Sequence, residues 1–262
     1  MRVAVLGNLS LDLVDGQPPR AGGPPYYAAR ALAALGVPAL VRAKSAESDR
    51  SRLLPALEAT GVAVDWRRGE TTATYEISYD GEARAMQVRE LGSPWAADEV
   101  AGLAAEWVHV GALFRGEFPP ETLAALAATD SRLSFDGQGL VRPPRVGPLE
   151  LEPDAAPEVL RHLSVLKLSE EEAKALVGTP DERSLSALGV PEVLVTLGSR
   201  GCVVVARRQL VHVPADPLDV DPTGAGDAFA AAYLVERSRG RAPRQSAARA
   251  TRLVHRLLSA QR

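Results

Sequence analysis

The residues of this 262-residue chain best spaced for chemistry are Asp221-Pro222-Thr223-Gly224-Ala225-Gly226-Asp227, followed at once by an apolar run over 228–235. Such a segment turns from loop into helix. Thr223 is the predicted N-cap, since its oxygen can accept a bond from the unpaired N–H groups of a first turn. That would place Gly224 and Gly226 inside the turn, where each glycine costs roughly 0.5–1 kcal/mol relative to alanine. Bare backbone compensates by letting a ligand approach closely, and the free N–H groups and helix dipole attract negative charge. The expectation is an anion hole with a carboxylate, Asp227, one residue beyond it. In phosphoryl transfer the transition state is loose, so a base need only orient the attacking hydroxyl and accept its proton late. The competing reading makes Asp227 an acidic first-turn residue worth about 0.3–1 kcal/mol through the dipole.

The elements that must hold this segment alternate between strand and helix. Strands are predicted over 3–6 and 38–43, with helices over 26–35 and 50–60 that stop at Gly36 and Gly61. Two extended runs, 72–79 and 83–91, flank Asp80-Gly81, a strong hairpin signal. Beyond them come strands over 107–110, 133–135, 165–168, 193–197, 202–206 and 210–213, with helices over 120–128, 170–177, 224–237 and 244–258. A Pro/Gly-rich loop is expected over 137–148. This order predicts a mainly parallel sheet covered on both faces.

Composition removes several function classes. Hydrophobic residues at 46% and charged residues at 24% are ordinary globular values. A net charge of −3 provides no basic field for a nucleic-acid partner. Cys202 is the single cysteine, so neither an internal disulfide nor a cysteine metal cluster can form, which suits a reducing cytoplasm. The first residues are apolar only as far as Leu6, too short for a signal-peptide core, and 228–235 is far below membrane-spanning length. A cytoplasmic location without a membrane partner is therefore expected. His109, His162, His212 and His255 have no zinc-ligand spacing.

The run from Asp221 to Asp227 resembles the Asp-x-Thr-Gly-Ala-Gly-Asp signature of the ribokinase-like (PfkB) carbohydrate kinase family, and the resemblance covers nearly the whole chain. It implies an α/β three-layer sandwich with a mainly parallel central sheet, one kinase domain over 1–262, and a small β-lid formed by about 8–22 and 72–91. It makes Asp227 the base for the acceptor hydroxyl, with the backbone of Gly224, Ala225 and Gly226 stabilising the transferring phosphoryl group. Thr223 falls beside the nucleotide, and Asp221 borders a monovalent-cation (K⁺) site in members that have one. A P-loop kinase is disfavoured, since no G-x-x-x-x-G-K-[ST] run occurs.

Further stretches resemble the family upstream. The stretch 195–201 is similar to its phosphate-contacting strand and turn, with Thr196, Gly198 and Gly201 as the implied contacts; a plain hairpin turn is the alternative. Lys167-Leu168-Ser169-Glu170-Glu171-Glu172 resembles an Asn-x-x-Glu motif in which Glu172 holds Mg²⁺ through water and Ser169 replaces the asparagine. The same residues would equally form a Ser169-capped acidic first turn. Near the start, Asn8, Asp12, Gly22 and Gly23 resemble the acceptor-binding signature, with Tyr27 where many sugar kinases have asparagine. Tyr26 and Tyr27 serve either the pocket or helix-start packing. Arg142, after Asp136, reads as a surface arginine, with reach to a phosphate or a substrate acid as the alternative, and His212 reads as a strand-end surface histidine, with a place near the adenine as the alternative.

The implied activity is ATP- and Mg²⁺-dependent phosphorylation of a sugar or polyol, cyclic polyols such as myo-inositol included. A nucleoside acceptor remains open if Tyr26 or Tyr27 stacks on a base, and so does a non-catalytic nucleotide-binding regulatory module. Unpaired lid edges would allow a homodimer through the lid.

Overall fold

Short runs of Val, Leu and Ala build the centre of the molecule, which this computed structural model describes over residues 2–80, 83–216 and 222–260. In chain order the strands are β1 (Val3–Asn8), β2 (Ser10–Val14), β3 (Arg20–Gly22), β4 (Ala39–Ala46), β5 (Ala63–Gly69), β6 (Ala73–Asp80), β7 (Ala83–Glu90), β8 (Trp107–Gly111), β9 (Arg132–Asp136), β10 (Gly147–Pro148), β11 (Leu163–Ser169), β12 (Glu192–Thr196), β13 (Cys202–Ala206) and β14 (Gln209–Val213). The helices are α1 (Pro24–Leu35), α2 (Glu47–Glu58), α3 (Pro120–Ala127), α4 (Gln138–Val141), α5 (Pro157–Leu160), α6 (Glu170–Val177), α7 (Glu182–Ser186), α8 (Ala225–Ser238) and α9 (Pro243–Ser259). None of them is long and apolar enough to cross a membrane.

Nine strands form the central sheet in the order β14-β13-β12-β11-β9-β8-β1-β4-β5. Seven of them run parallel from β12 to β5, and β13 and β14 add an antiparallel hairpin at one edge. Alternation along β1 sends Val5 to one face and Leu6 to the other. The Val5 face packs on α1, α2, α8 and α9 through Leu32, Leu53, Tyr233 and Leu253. The Leu6 face is covered by α3 to α7 through Leu123, Leu140, Leu160, Ala173 and Leu185. These three layers are the architecture expected from the sequence. At β1 the strand order reverses, β4 lying on one side and β8 on the other. A crevice at the carboxyl ends of the strands belongs at such a point.

A second sheet, ordered β10-β7-β6-β2-β3, holds its apolar face (Val14, Tyr75, Ile77, Val88) against Leu113 and Phe114 from the loop after β8. It comprises the two stretches expected to form the small β-sheet, plus β10, which lay in the segment read as a Pro/Gly loop. Of the Asp80-Gly81 hairpin signal, Gly81 lies outside the described residues. Helix α1 begins two residues before its predicted start because proline is tolerated in a first turn, and Gly36 ends it in the left-handed conformation as its sequence signals.

Candidate active site

The segment that opened the sequence reading turns into helix one residue later than predicted. Gly224, at φ 78 and ψ −1, holds the N-cap position of α8, and no side chain caps the helix. Thr223 is therefore not the N-cap. Gly224 takes that position because the left-handed turn disfavours a residue carrying Cβ, and because a Cβ there would overlap the ring of Tyr27. The Ala225 N–H is taken by the Pro222 carbonyl at 2.9 Å. Helix geometry gives the N–H groups of Gly226 and Asp227 no intrahelical partner, so this end of α8 has donors available for an anion. Asp221 lies outside the described residues.

Asp227 is buried, and its Oδ1 has no hydrogen-bond partner. Burial pushes its carboxyl up to about 7, Asp136 and Glu172 add to the shift, and Lys167 and Arg142 oppose it. The neighbours come from the last residue of β9, the end of β11, the first turn of α6 and the residue after α4. Asp136 ends β9 and accepts a bond from Lys167 Nζ at 3.1 Å, both side chains being almost wholly enclosed. Burial acts against the Lys167 ammonium, but Asp136, Glu172 and Asp227 outweigh it and hold it protonated. Glu172 is raised by burial and by Asp136, against Lys167 and Arg142. It also completes a capping box: Ser169 N–H donates to Glu172 Oε2 at 2.8 Å, and Glu172 N–H to Ser169 Oγ at 3.2 Å.

These groups open onto a cavity of about 660 Å³. Its polar lining includes Lys167, Ser169, Glu172, Thr196, Gly198, Gly201, Thr223 and the turn from Gly224 to Asp227, and its apolar lining includes Phe229, Val254 and Leu258. Thr196 donates to the Leu168 carbonyl at 3.2 Å, which fixes the end of β12 to β11. Gly201, at φ 93, sits so close to the Val213 carbonyl that no Cβ would fit. His212 is outside this wall, exposed and bonded to the Arg200 carbonyl at 2.9 Å.

On the other side of Asp227, Asp12 is buried on β2 and accepts a bond from Ser10 Oγ at 2.7 Å. Gly22 packs against the Asp12 carboxylate so tightly that a Cβ would collide with it, and a Cβ on Gly23 would press on the Asn8 carbonyl. Tyr27 bridges the two halves. Its ring lies on Gly224, and its phenol is held far above the usual value by burial and by the negative charges of Asp12 and Asp227, against Arg20. Asn8 is fully enclosed, and its Nδ2 donates to the Ser93 carbonyl at 2.9 Å, tying the exit from β7 to the end of β1.

Four residues gain a place that sequence reading did not give them. Arg142 is partly buried, lines the cavity, and reaches the Tyr75 hydroxyl of the second sheet while acting on Asp227 and Glu172. The surface assignment for Arg142 is corrected accordingly; among so many arginines its sequence position carried no distinguishing signal. Tyr75 is buried on β6, and Lys167 joins the carboxylates. Glu117, wholly enclosed, accepts the Leu113 N–H at 2.6 Å and is pushed by burial up to about 8.

Residues 13–254 match the pfkB family of carbohydrate kinases. Among curated proteins, a fructokinase of Klebsiella pneumoniae is 33% identical over 201 residues, covering 70% of this chain and 60% of its own. A fructokinase of Escherichia coli is 34% identical over 140 residues, covering 49% of this chain and 45% of its own, and a cytidine kinase of Thermococcus kodakarensis is 35% identical over 95. The matches to these two fructokinases thus span about half of each relative's length. Among solved structures, a pyrophosphate-dependent kinase in the ribokinase family, complexed with a pyrophosphate analog and myo-inositol, superposes with a TM-score of 0.87 at 25% identity over 98% of this chain and 95% of its own. A pyrophosphate-dependent myo-inositol-1 kinase, converted into a myo-inositol-3 kinase by two substitutions to leucine, superposes with a TM-score of 0.82 at 26% identity, covering 96% and 91%. With the family match spanning 13–254 and the three-layer fold in agreement, the chain belongs to the pfkB family of carbohydrate kinases.

Proposed function

We propose that this chain is a kinase that transfers a phosphoryl group to a hydroxyl of a small polyol or sugar, with Asp227 as the base. The observation that carries the reading is the buried Asp227 carboxyl, one oxygen unpartnered, directly beyond a glycine turn that faces a cavity of about 660 Å³. The N–H groups of Gly226 and Asp227 receive the transferring phosphoryl group, a preorganised form of charge stabilisation. Asp12 and the backbone at Gly22 and Gly23 orient the acceptor's hydroxyls, and Tyr27 closes the space between acceptor and donor. Asp227 takes the proton of the attacking hydroxyl as the new bond to phosphorus forms.

ATP fits the donor side, since the apolar wall of Phe229, Val254 and Leu258 offers a surface for a base while Thr196, Gly198, Gly201 and Thr223 border the phosphates. Carboxylate oxygens at Glu172 suit Mg²⁺, a hard cation that keeps several waters, and bound there with the donor it would neutralise phosphate charge. Among the described residues no group of three or more His, Cys, Asp or Glu side chains is placed to hold a metal ion. A potassium requirement would run through Asp221. Pyrophosphate is the second donor reading, favoured by the close superposition on a pyrophosphate-dependent kinase.

Product formation with ATP or pyrophosphate, against myo-inositol, fructose, ribose and cytidine, tests the reading. Asp227→Asn is expected to bind donor normally and lose turnover at least a thousandfold. Near-normal turnover of that variant would refute the assignment. Donor binding by the unaltered chain with no consumption for any acceptor would favour the regulatory module.

A further inference from the structure

Lys167 is one of only three lysines in the chain. It precedes Ser169 by two residues on β11, so both side chains leave the same face of the strand. Both line the cavity. The Ser169 hydroxyl is already committed, accepting the Glu172 N–H at 3.2 Å and donating to Glu171 Oε2 at 3.0 Å. It therefore has no proton left to donate to an anion in the cavity. Lys167 does: of its three N–H bonds, one goes to Asp136 at 3.1 Å. The ammonium also lies against the glycine turn, since a Cβ on Gly226 would stand 2.8 Å from Nζ.

We propose that Lys167 is the charged member of the anion hole, held by Asp136 against Gly226 so that its ammonium stabilises the phosphoryl group in flight. The proposal rests on the phosphoryl-transfer reading above. In the rival account Lys167 merely neutralises Asp136, a buried pair whose half-removal destabilises the fold. The two accounts diverge when both charges are removed. A purely structural pair can be replaced without catalytic loss, whereas an anion-hole cation cannot. Loss of a single preorganised donor in such a hole typically costs about 10²–10³-fold in kcat.

The test compares Asp136→Asn, Lys167→Met and the double variant, with melting temperature, kcat and acceptor KM read for each, and pyrophosphate binding followed by calorimetry. Lys167→Met is expected to lower the melting temperature and the double variant to recover it. The double variant should nonetheless turn over at least tenfold more slowly than Asp136→Asn, with acceptor KM changed less than about threefold and pyrophosphate bound about tenfold more weakly. Equal kcat and equal pyrophosphate affinity for the double variant and Asp136→Asn would overturn the proposal. If the unaltered chain transfers phosphate to no acceptor, the kinase reading fails by itself, and the pyrophosphate arm still decides whether Lys167 binds the anion. Should Lys167→Met not fold alone, the double variant carries the comparison.

Discussion

A carboxyl whose proton leaves only near neutrality sets the pH range in which it can act as a base. With Asp227 pushed up to about 7 by burial, kcat/KM should rise about tenfold per unit below pH 7 and level off above it, as read from a pH–rate profile. The same shift has a cost in stability. Because the native pKa lies above the unfolded value of 3.8, the folded chain binds more protons between about pH 4 and 7, so the free energy of unfolding falls as pH rises through that window. Asp227→Asn removes the penalty. Its melting temperature should exceed that of the unaltered chain by more at pH 8 than at pH 5, in thermal melts at both. The place of Asp227 in a first helical turn was legible from the loop-to-helix run around it, although Gly224 proves to be the left-handed N-cap and not a residue inside that turn. The source of the Asp227 shift was not, since burial and the approach of Asp136 and Glu172 arise only where separate elements pack together.

Among the elements, the capping box at α6 was readable as both a cap and a metal-side glutamate, and the fold keeps the cap in full. The β6/β7 pair was readable from its hairpin signal. Strand β5 was missed because Asp65, Trp66, Arg67 and Arg68 break any alternation, and β10 because its two residues become a strand only by pairing with Gln87 and Val88 far away in sequence. The second sheet is tied to the core at Ser93, whose Oγ accepts the N–H groups of Glu70 at 2.8 Å and Thr71 at 3.0 Å. Ser93→Ala would leave both donors without that partner, at about 1–3 kcal/mol. Faster hydrogen exchange at residues 70 and 71 and in β6, with β1 unchanged, is the expected result. On the helix side, Glu192 accepts Tyr233 Oη at 2.5 Å and Arg237 at 2.6 and 3.1 Å, fixing α8 to the start of β12. Glu192→Ala should cost about 1–3 kcal/mol in denaturant unfolding, by leaving the Tyr233 hydroxyl and part of the half-buried Arg237 guanidinium without their acceptor.

For the molecule as a whole, the alternation of strand and helix made the three layers legible, whereas the meeting of Arg142 with Tyr75 across two sheets was not. Convergence of that kind depends on long-range packing that no local pattern encodes. The ring of Tyr27 resting on Gly224 gives this packing a thermodynamic meaning. Tyr27 lies near Asp12 and against the glycine turn at Gly224, so on the proposed reading an acceptor that settles the ring also settles the turn. Binding of the two substrates is then linked, and linkage is reciprocal: whatever factor the acceptor contributes to donor affinity, the donor must return to acceptor affinity. Calorimetric titration of each ligand with and without the other should give equal factors, and Tyr27→Ala should bring both towards one. The substrates would then assemble as a mutually dependent pair, with neither prepaid by the empty protein.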